Sequence, residues 1–333
     1  MSGFNSTVVV PGTHLDSDIG KVKKKNWVPV WNEKFSDRAN EFEEKAVIVD
    51  YRPVLSNSTN ACLVLWNSKL VHCGGYLRKG IPTKKGYLSN KTCKEGHFHL
   101  KDEKGWLEHL DEKGFAVIEM ELPEYSNLIK SFRRSVQLVN RETIDEKNPT
   151  CPSLDKIKQE HIPPLKNKGL QKYYGFAHTP FADKMRGHPS IRGVFEKIHK
   201  TNQLICSFDA SAISIDTPKT KPGNWLHRDQ DQDSFDILSI QGCFVLKSPY
   251  SRLAQMVSYR PRERMNPGEL KMLHKARDIG GTTTHDNSRI DSKSIPSGRP
   301  NPNQFLHLEA YTSETAKRKG DEMYWERFEK LTR

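Results

Sequence analysis

No stretch of this chain comes near the roughly 20 consecutive apolar residues that span a bilayer, so a helical membrane protein is not expected. No Cys-x-x-Cys pair occurs among the six cysteines, Cys62, Cys73, Cys93, Cys151, Cys206 and Cys243. That absence argues against a thioredoxin-like redox site and against zinc sites of standard spacing. There is no Gly-rich phosphate loop, no aromatic stripe of the kind that stacks on RNA, and no internal repeat. The opening "MSGFNSTVVVPG" lacks the basic stretch and apolar core of a secretory leader. Three cysteines, Cys62, Cys206 and Cys243, lie in apolar strand-like runs and read as small buried hydrophobes. An intracellular, reducing setting is therefore expected, cytoplasmic or otherwise, and secretion is not.

Apolar content is also low, 35% of 333 residues, which leaves much of the surface to polar loops. What the chain has in excess is positive charge. Lys and Arg number 53 against 41 Asp and Glu, a net charge of +12. Such a charge favours acidic partners, nucleic acid among them, although a solvated lysine-rich surface accounts for it equally well.

Strand patterns run through 7–12, 61–71, 204–215, 238–246 and 253–259. Helical patterns cover 103–113, 124–137, 190–200, 266–278 and 313–331. Residues 78–96 are basic and Gly-rich and read as a linker. Residues 280–304 carry loop chemistry. Short strands framed by helices suggest a mainly β protein with flanking helices, of sandwich or jelly-roll type.

Three His-x-Asp triplets occur. In a strand, positions i and i+2 face the same way. In a helix they lie about 200° apart around the axis. His109 and Asp111 fall in a helical window and cannot share an ion. His14 and Asp16 begin in a turn. His227 and Asp229 follow "GNW" and precede an alternating apolar run, which makes them the candidate pair of metal ligands; an ordinary His–Asp hydrogen bond is the plainer alternative. Non-haem iron requires a second His on the same face of the coordination sphere. His72, at the end of an apolar run and before Gly-Gly, is positioned for that role, or is simply an edge histidine. An Arg suits a carboxylate cosubstrate because its fork binds carboxylate bidentately, and Arg252 opens the run "RLAQMVSY". Arg260 and Arg262 read as surface or substrate-facing.

Together these segments resemble the phytanoyl-CoA dioxygenase-like Fe(II)/2-oxoglutarate oxygenases. "NWLHRDQ" and "SIQGCFVL" look like the metal strand and its neighbour. "STVVVPGTHL" looks like the loop after the central strands. "LVLWNSKLVHCGG" resembles the strand with the distal His, "RLAQMVSYRPR" the strand with the 2-oxoglutarate Arg, and "WLEHLDEKGFAVI" the N-terminal helix and first strand. The resemblance implies a single oxygenase domain over 1–333 on a double-stranded β-helix core, with segments in rearranged order. The distal-His block, 1–77, comes first, then the basic linker 78–96. The N-terminal-type helices and His-x-Asp strand follow at 97–247, and the Arg strand and tail at 248–333.

The resemblance further implies that His227, Asp229 and His72 hold Fe(II). Arg252 clamps 2-oxoglutarate, Gln241 and Ser239 line the cosubstrate pocket, and Trp225 packs against the substrate site. The reaction expected is O2-dependent hydroxylation of an unidentified substrate, with 2-oxoglutarate converted to succinate and CO2. Core polar pairing is the alternative for Gln241 and Ser239, and plain core packing for Trp225. Two other classes compete: a catalytically inactive jelly-roll binding protein that uses its basic surface for an acidic partner, and a zinc protein built on Cys73, Cys93, His97 and His99.

Overall fold

The computed structural model describes residues 5–15, 28–29, 41–42, 45–49, 61–76, 81–83, 86–88, 92–93, 95–122, 127–128, 131, 170–171, 176–215, 227–229, 240–247, 251–278 and 281–283. Ser239, Trp225 and the helix expected at 313–331 lie outside them, as do most of 124–137 and 284–304. The protein is mainly β-sheet with flanking helices. It forms two compact units, each discontinuous in sequence: Met1–Glu121 with Asp216–Arg252, and Leu122–Ile215 with Leu253–Arg333. Among the described residues no helix is long and apolar enough to cross a membrane.

The first unit opens with strands β1 (Asn5–Val10), β2 (Val28–Pro29), β3 (Val47–Val49), β4 (Ala61–Asn67) and β5 (Val71–Tyr76). Four short strands follow: β6 (Ile81–Thr83), β7 (Gly86–Leu88), β8 (Thr92–Cys93) and β9 (His97–His99). The segment 78–96, expected to be a linker, therefore contains a small hairpin of β6 and β7 and an added strand, β8. Helix α1 (Glu103–Lys113) and β10 (Phe115–Met120) come next. In the second unit lie β11 (Leu170–Gln171), α2 (Pro180–Arg186), α3 (Pro189–His199), β12 (Leu204–Cys206) and β13 (Ser211–Ile215). The chain then returns to the first unit for β14 (His227–Arg228) and β15 (Ile240–Lys247). Strand β16 (Ser251–Pro261) and helix α4 (Pro267–Asp278) complete the described elements.

Besides the β6–β7 hairpin, two larger sheets run through the first unit. One has the order β2-β14-β5-β1-β3-β8, and the other contains β15-β4-β10-β9. The second is mixed, because β10 pairs antiparallel with β4 but parallel with β9. Strand β4 is central and buried along almost its whole length. Leu63, Val64 and Leu65 are fully enclosed, and burying such side chains stabilises by about 1.5–3 kcal/mol each. Helix α1 is bounded by local chemistry. The Asp102 side chain accepts from the Gly105 N–H at 3.1 Å, and Gly114 closes the helix at φ +81°, its N–H reaching Leu110 O at 3.0 Å.

In the second unit α2 and α3 each begin with Pro in the first turn, after the caps Thr179 and His188. Helix α3 buries Ile191, Val194, Phe195 and Ile198, spaced three and four apart on one stripe. Strand β12 pairs with β16 in the register Cys206↔Tyr259. The run 204–215, expected as one strand, is two, because the regular ladder is interrupted at 207–210: Ser207 N–H and Ala210 O still bond to β16, but Phe208 turns to another partner. Phe208 N–H donates to Thr283 Oγ1 and Thr283 N–H returns to Phe208 O. A core of Ile205, Phe208, Met265, Leu273 and Ala276 packs here.

Candidate functional site

Strand β4 belongs to one sheet of the first unit and β5 to the other. The chain passes between them in the three residues Ser68, Lys69 and Leu70, and this corner organises the site. Leu70 N–H donates to Asn67 O at 2.8 Å and Asn67 Oδ1 takes the Lys69 N–H at 2.9 Å, so the turn is closed by its own bonds. Ser68, fully buried, offers its carbonyl to the Asp229 N–H at 3.0 Å, which extends the pairing of β14 by one residue.

The stretch around His227 is thus extended, as the His-x-Asp reading requires. Antiparallel pairing sets Cα of His227 opposite Cα of His72, and directly opposite positions share a face of the sheet. Arg228, between the two candidate ligands, is completely buried, and its guanidinium donates to Thr13 O. Asp229 is half-buried beside His72: Nε2 of His72 and Oδ2 of Asp229 are 3.1 Å apart. Two residues separated by more than 150 positions are brought together by the β5–β14 register.

The imidazole is oriented by its other nitrogen. Nδ1 of His72 lies 2.9 Å from Leu70 O. A carbonyl only accepts, so Nδ1 carries the proton. In the neutral ring Nε2 is then a lone pair, and it faces a carboxylate oxygen. Such a contact is held by a proton shared between the two side chains or by a metal ion.

Gln241 completes the group. Its Nε2 donates to Asp229 Oδ2 at 2.9 Å and to Ser68 Oγ at 3.0 Å. Both amide protons are spent, and rotating the amide would set its oxygen against the Asp229 carboxylate. The residue expected to line a cosubstrate pocket therefore touches the carboxylate of Asp229. Opposite Gln241 on β4 is Trp66, 4% exposed. Its ring centroid is 5.4 Å from that of His72, and its buried Nε1–H has no hydrogen-bond acceptor among the described residues. Trp66 and Ser68 were not singled out from the sequence. The one available signal was their position, the last strand residues and turn before "KLVH".

Arg252 lies in β16 as the last residue of the first unit, and its side chain is outside the described atoms, as is that of His227. Arg260, expected at the surface or facing substrate, is instead held by Glu269, Nη1 to Oε1 3.2 Å, with both side chains largely covered. Of the zinc alternative, His97 faces Glu119 at 3.9 Å and His99 faces Glu121 at 3.8 Å, each across to β10 or its end. The side chains of Cys73 and Cys93 are outside the described set. Among the described residues no three His, Cys, Asp or Glu side chains converge on one point.

The neighbouring histidines are structural. His14 sits in a 3-10 turn, Thr13–Leu15, with Nε2 donating to Asp111 O at 2.7 Å, and burial lowers its pKa. His109 packs between Phe98 and Phe115 on α1, and burial lowers its pKa too.

The curated protein "Ava biosynthesis cluster protein O" of Aspergillus versicolor is 35% identical to this chain over 86 residues, 25% of this chain and 27% of that protein. The chain thus spans about a quarter of the length of the curated relative it matches. No protein-family profile matches the chain. No solved structure matches it.

Proposed function

We propose that this protein is an Fe(II)/2-oxoglutarate-dependent dioxygenase of the phytanoyl-CoA dioxygenase-like kind, a hydroxylase whose double-stranded β-helix core is assembled from segments in rearranged order. The observation that carries the reading is the His72–Asp229 pair. Nε2 of His72 and Oδ2 of Asp229 lie 3.1 Å apart, close enough for one imidazole nitrogen and one carboxylate oxygen to hold a single metal ion. The donor set, imidazole with carboxylate, suits iron, and position 227, in register with position 72, supplies the third ligand of a facial triad.

Bound iron supplies a redox-active Lewis acid at which O2 and 2-oxoglutarate are consumed, giving succinate, CO2 and a hydroxylated product. The chain's own residues hold and orient. The Leu70 carbonyl fixes the His72 tautomer. Trp66 covers the imidazole face and limits water beside it. Arg252 clamps the distal carboxylate of 2-oxoglutarate. The relative's name ties that protein to a biosynthesis cluster, which supports a small-molecule substrate.

The test is an anaerobic titration of the purified chain with Fe(II) and 2-oxoglutarate. The expected result is a visible charge-transfer band in the wild type that is lost in His72→Ala and in Asp229→Ala. A folded wild type with no band would make the close pair an ordinary His–Asp hydrogen bond. It would favour the basic binding protein, to be followed by salt-dependent binding to nucleic acid.

A further inference from the structure

Gln241 hydrogen-bonds two different groups of the site at once. Both of its amide protons are committed, one to Asp229 Oδ2 at 2.9 Å and one to Ser68 Oγ at 3.0 Å. Gln241 is 5% exposed and Ser68 is fully enclosed, so water does not substitute readily for either bond. The oxygen that Gln241 grips is the same Oδ2 that faces His72 Nε2. Gripping one lone pair of that oxygen leaves the other directed elsewhere and stops rotation of the carboxylate about its Cβ–Cγ bond. Ser68 joins the restraint from a second direction, since its carbonyl already holds the Asp229 backbone N–H. Side chain and main chain of Asp229 are thus fixed by one corner of the fold and one residue of the adjacent sheet.

We infer that Gln241 is a positioning residue that orients the Asp229 carboxylate for monodentate metal binding through Oδ2, with Ser68 as its anchor. The inference rests on the iron reading above and assigns to that site a residue that acts through Asp229. Carboxylates that ligate metals are themselves hydrogen-bonded, and removing such a partner typically costs 10–100-fold in metal affinity.

The experiment uses the full chain and Co(II) alone as the probe, titrated by visible absorption with a competing chelator, so no turnover is needed. Gln241→Met keeps length and removes both donors. Ser68→Ala removes only the anchor. Cys243→Ala perturbs the packing of the same face of β15, two residues away, without touching Asp229. The expected result is 10–100-fold weaker Co(II) binding and an altered d–d spectrum for Gln241→Met. Ser68→Ala should lose less, and Cys243→Ala should bind as the wild type does. Unfolding midpoints identify any variant that fails to fold, in which case Ser68→Ala carries the test. Wild-type affinity and spectrum in both Gln241→Met and Ser68→Ala overturn this inference alone. Equal losses in Cys243→Ala also overturn it, because the effect is then general packing. A wild type that takes up no Co(II) overturns both the inference and the reading on which it rests.

Discussion

His178, in the second unit, illustrates what a single buried side chain can do to the whole protein's stability. Its Nε2 donates to Gly281 O at 2.7 Å and its ring packs 4.6 Å from that of Phe208. Burial, reinforced by the charge of Arg186, lowers its pKa from 6.5 to about 3. The folded state therefore leaves His178 unprotonated across a range where the unfolded chain protonates it. Between pH 6.5 and about 3 the unfolded state binds the extra proton, so stability falls as pH falls through that window. At pH 4 the loss from this one group is on the order of 3 kcal/mol. His178→Gln, which cannot be protonated, should be less stable at pH 8 through lost packing but should lose less on acidification. Denaturation midpoints measured from pH 8 to pH 4 check this. Parallel curves for the two proteins would remove His178 from the acid response. In the same unit Cys206 is pushed up to about 12 by burial and stays a thiol, which agrees with reading it as a small hydrophobe.

At the scale of elements, the junction between α1 and β10 makes its own prediction. Gly114 ends the helix at φ +81°, and a Cβ there would lie 2.5 Å from Nδ1 of His14 and 2.8 Å from Cδ1 of Leu70. The neighbours it would strike are the 3-10 turn after β1 and the corner residue whose carbonyl holds His72. Gly114→Ala should therefore destabilise by about 2 kcal/mol or more, from left-handed strain plus the clash. It should also weaken metal binding, because the corner must shift. Urea denaturation and a Co(II) titration read the two effects separately. The bounds of this helix were legible in the sequence: the pattern over 103–113 agrees with the structure to the residue, because periodicity and end signals are local. The candidate site was legible only in part. His-x-Asp and His72 were identifiable because strand context is also local. Trp66 and Ser68 were not, because their meaning comes from a corner that joins two sheets and from pairings with residues 229 and 241, far away along the chain. The basic stretch 78–96 hid strands β6, β7 and β8 because they are two or three residues long and have no alternating pattern to detect.

For the whole molecule, charge is the property that no single site explains. The chain carries a net charge of +12, and the proposed cosubstrate, 2-oxoglutarate, is a dianion at neutral pH. A field of that sign raises the encounter rate of an anion and is screened by salt, with a Debye length falling from about 30 Å at 0.01 M to about 8 Å at 0.15 M. Bonds made inside a buried pocket are screened far less than this long-range attraction. If the positive charge acts as a steering field for the cosubstrate, kcat/KM for 2-oxoglutarate should fall several-fold between 0.01 and 0.2 M NaCl while kcat changes little. The two parameters separate the causes: a loss confined to kcat/KM reports capture, whereas a parallel loss in kcat would mean that salt disturbs the site itself. A flat profile would leave the charge free to serve another acidic partner. Binding of a generic nucleic acid over the same salt range, with its steep dependence on counterion release, would then distinguish a lysine-rich surface that only solvates the chain from one that docks a polyanion.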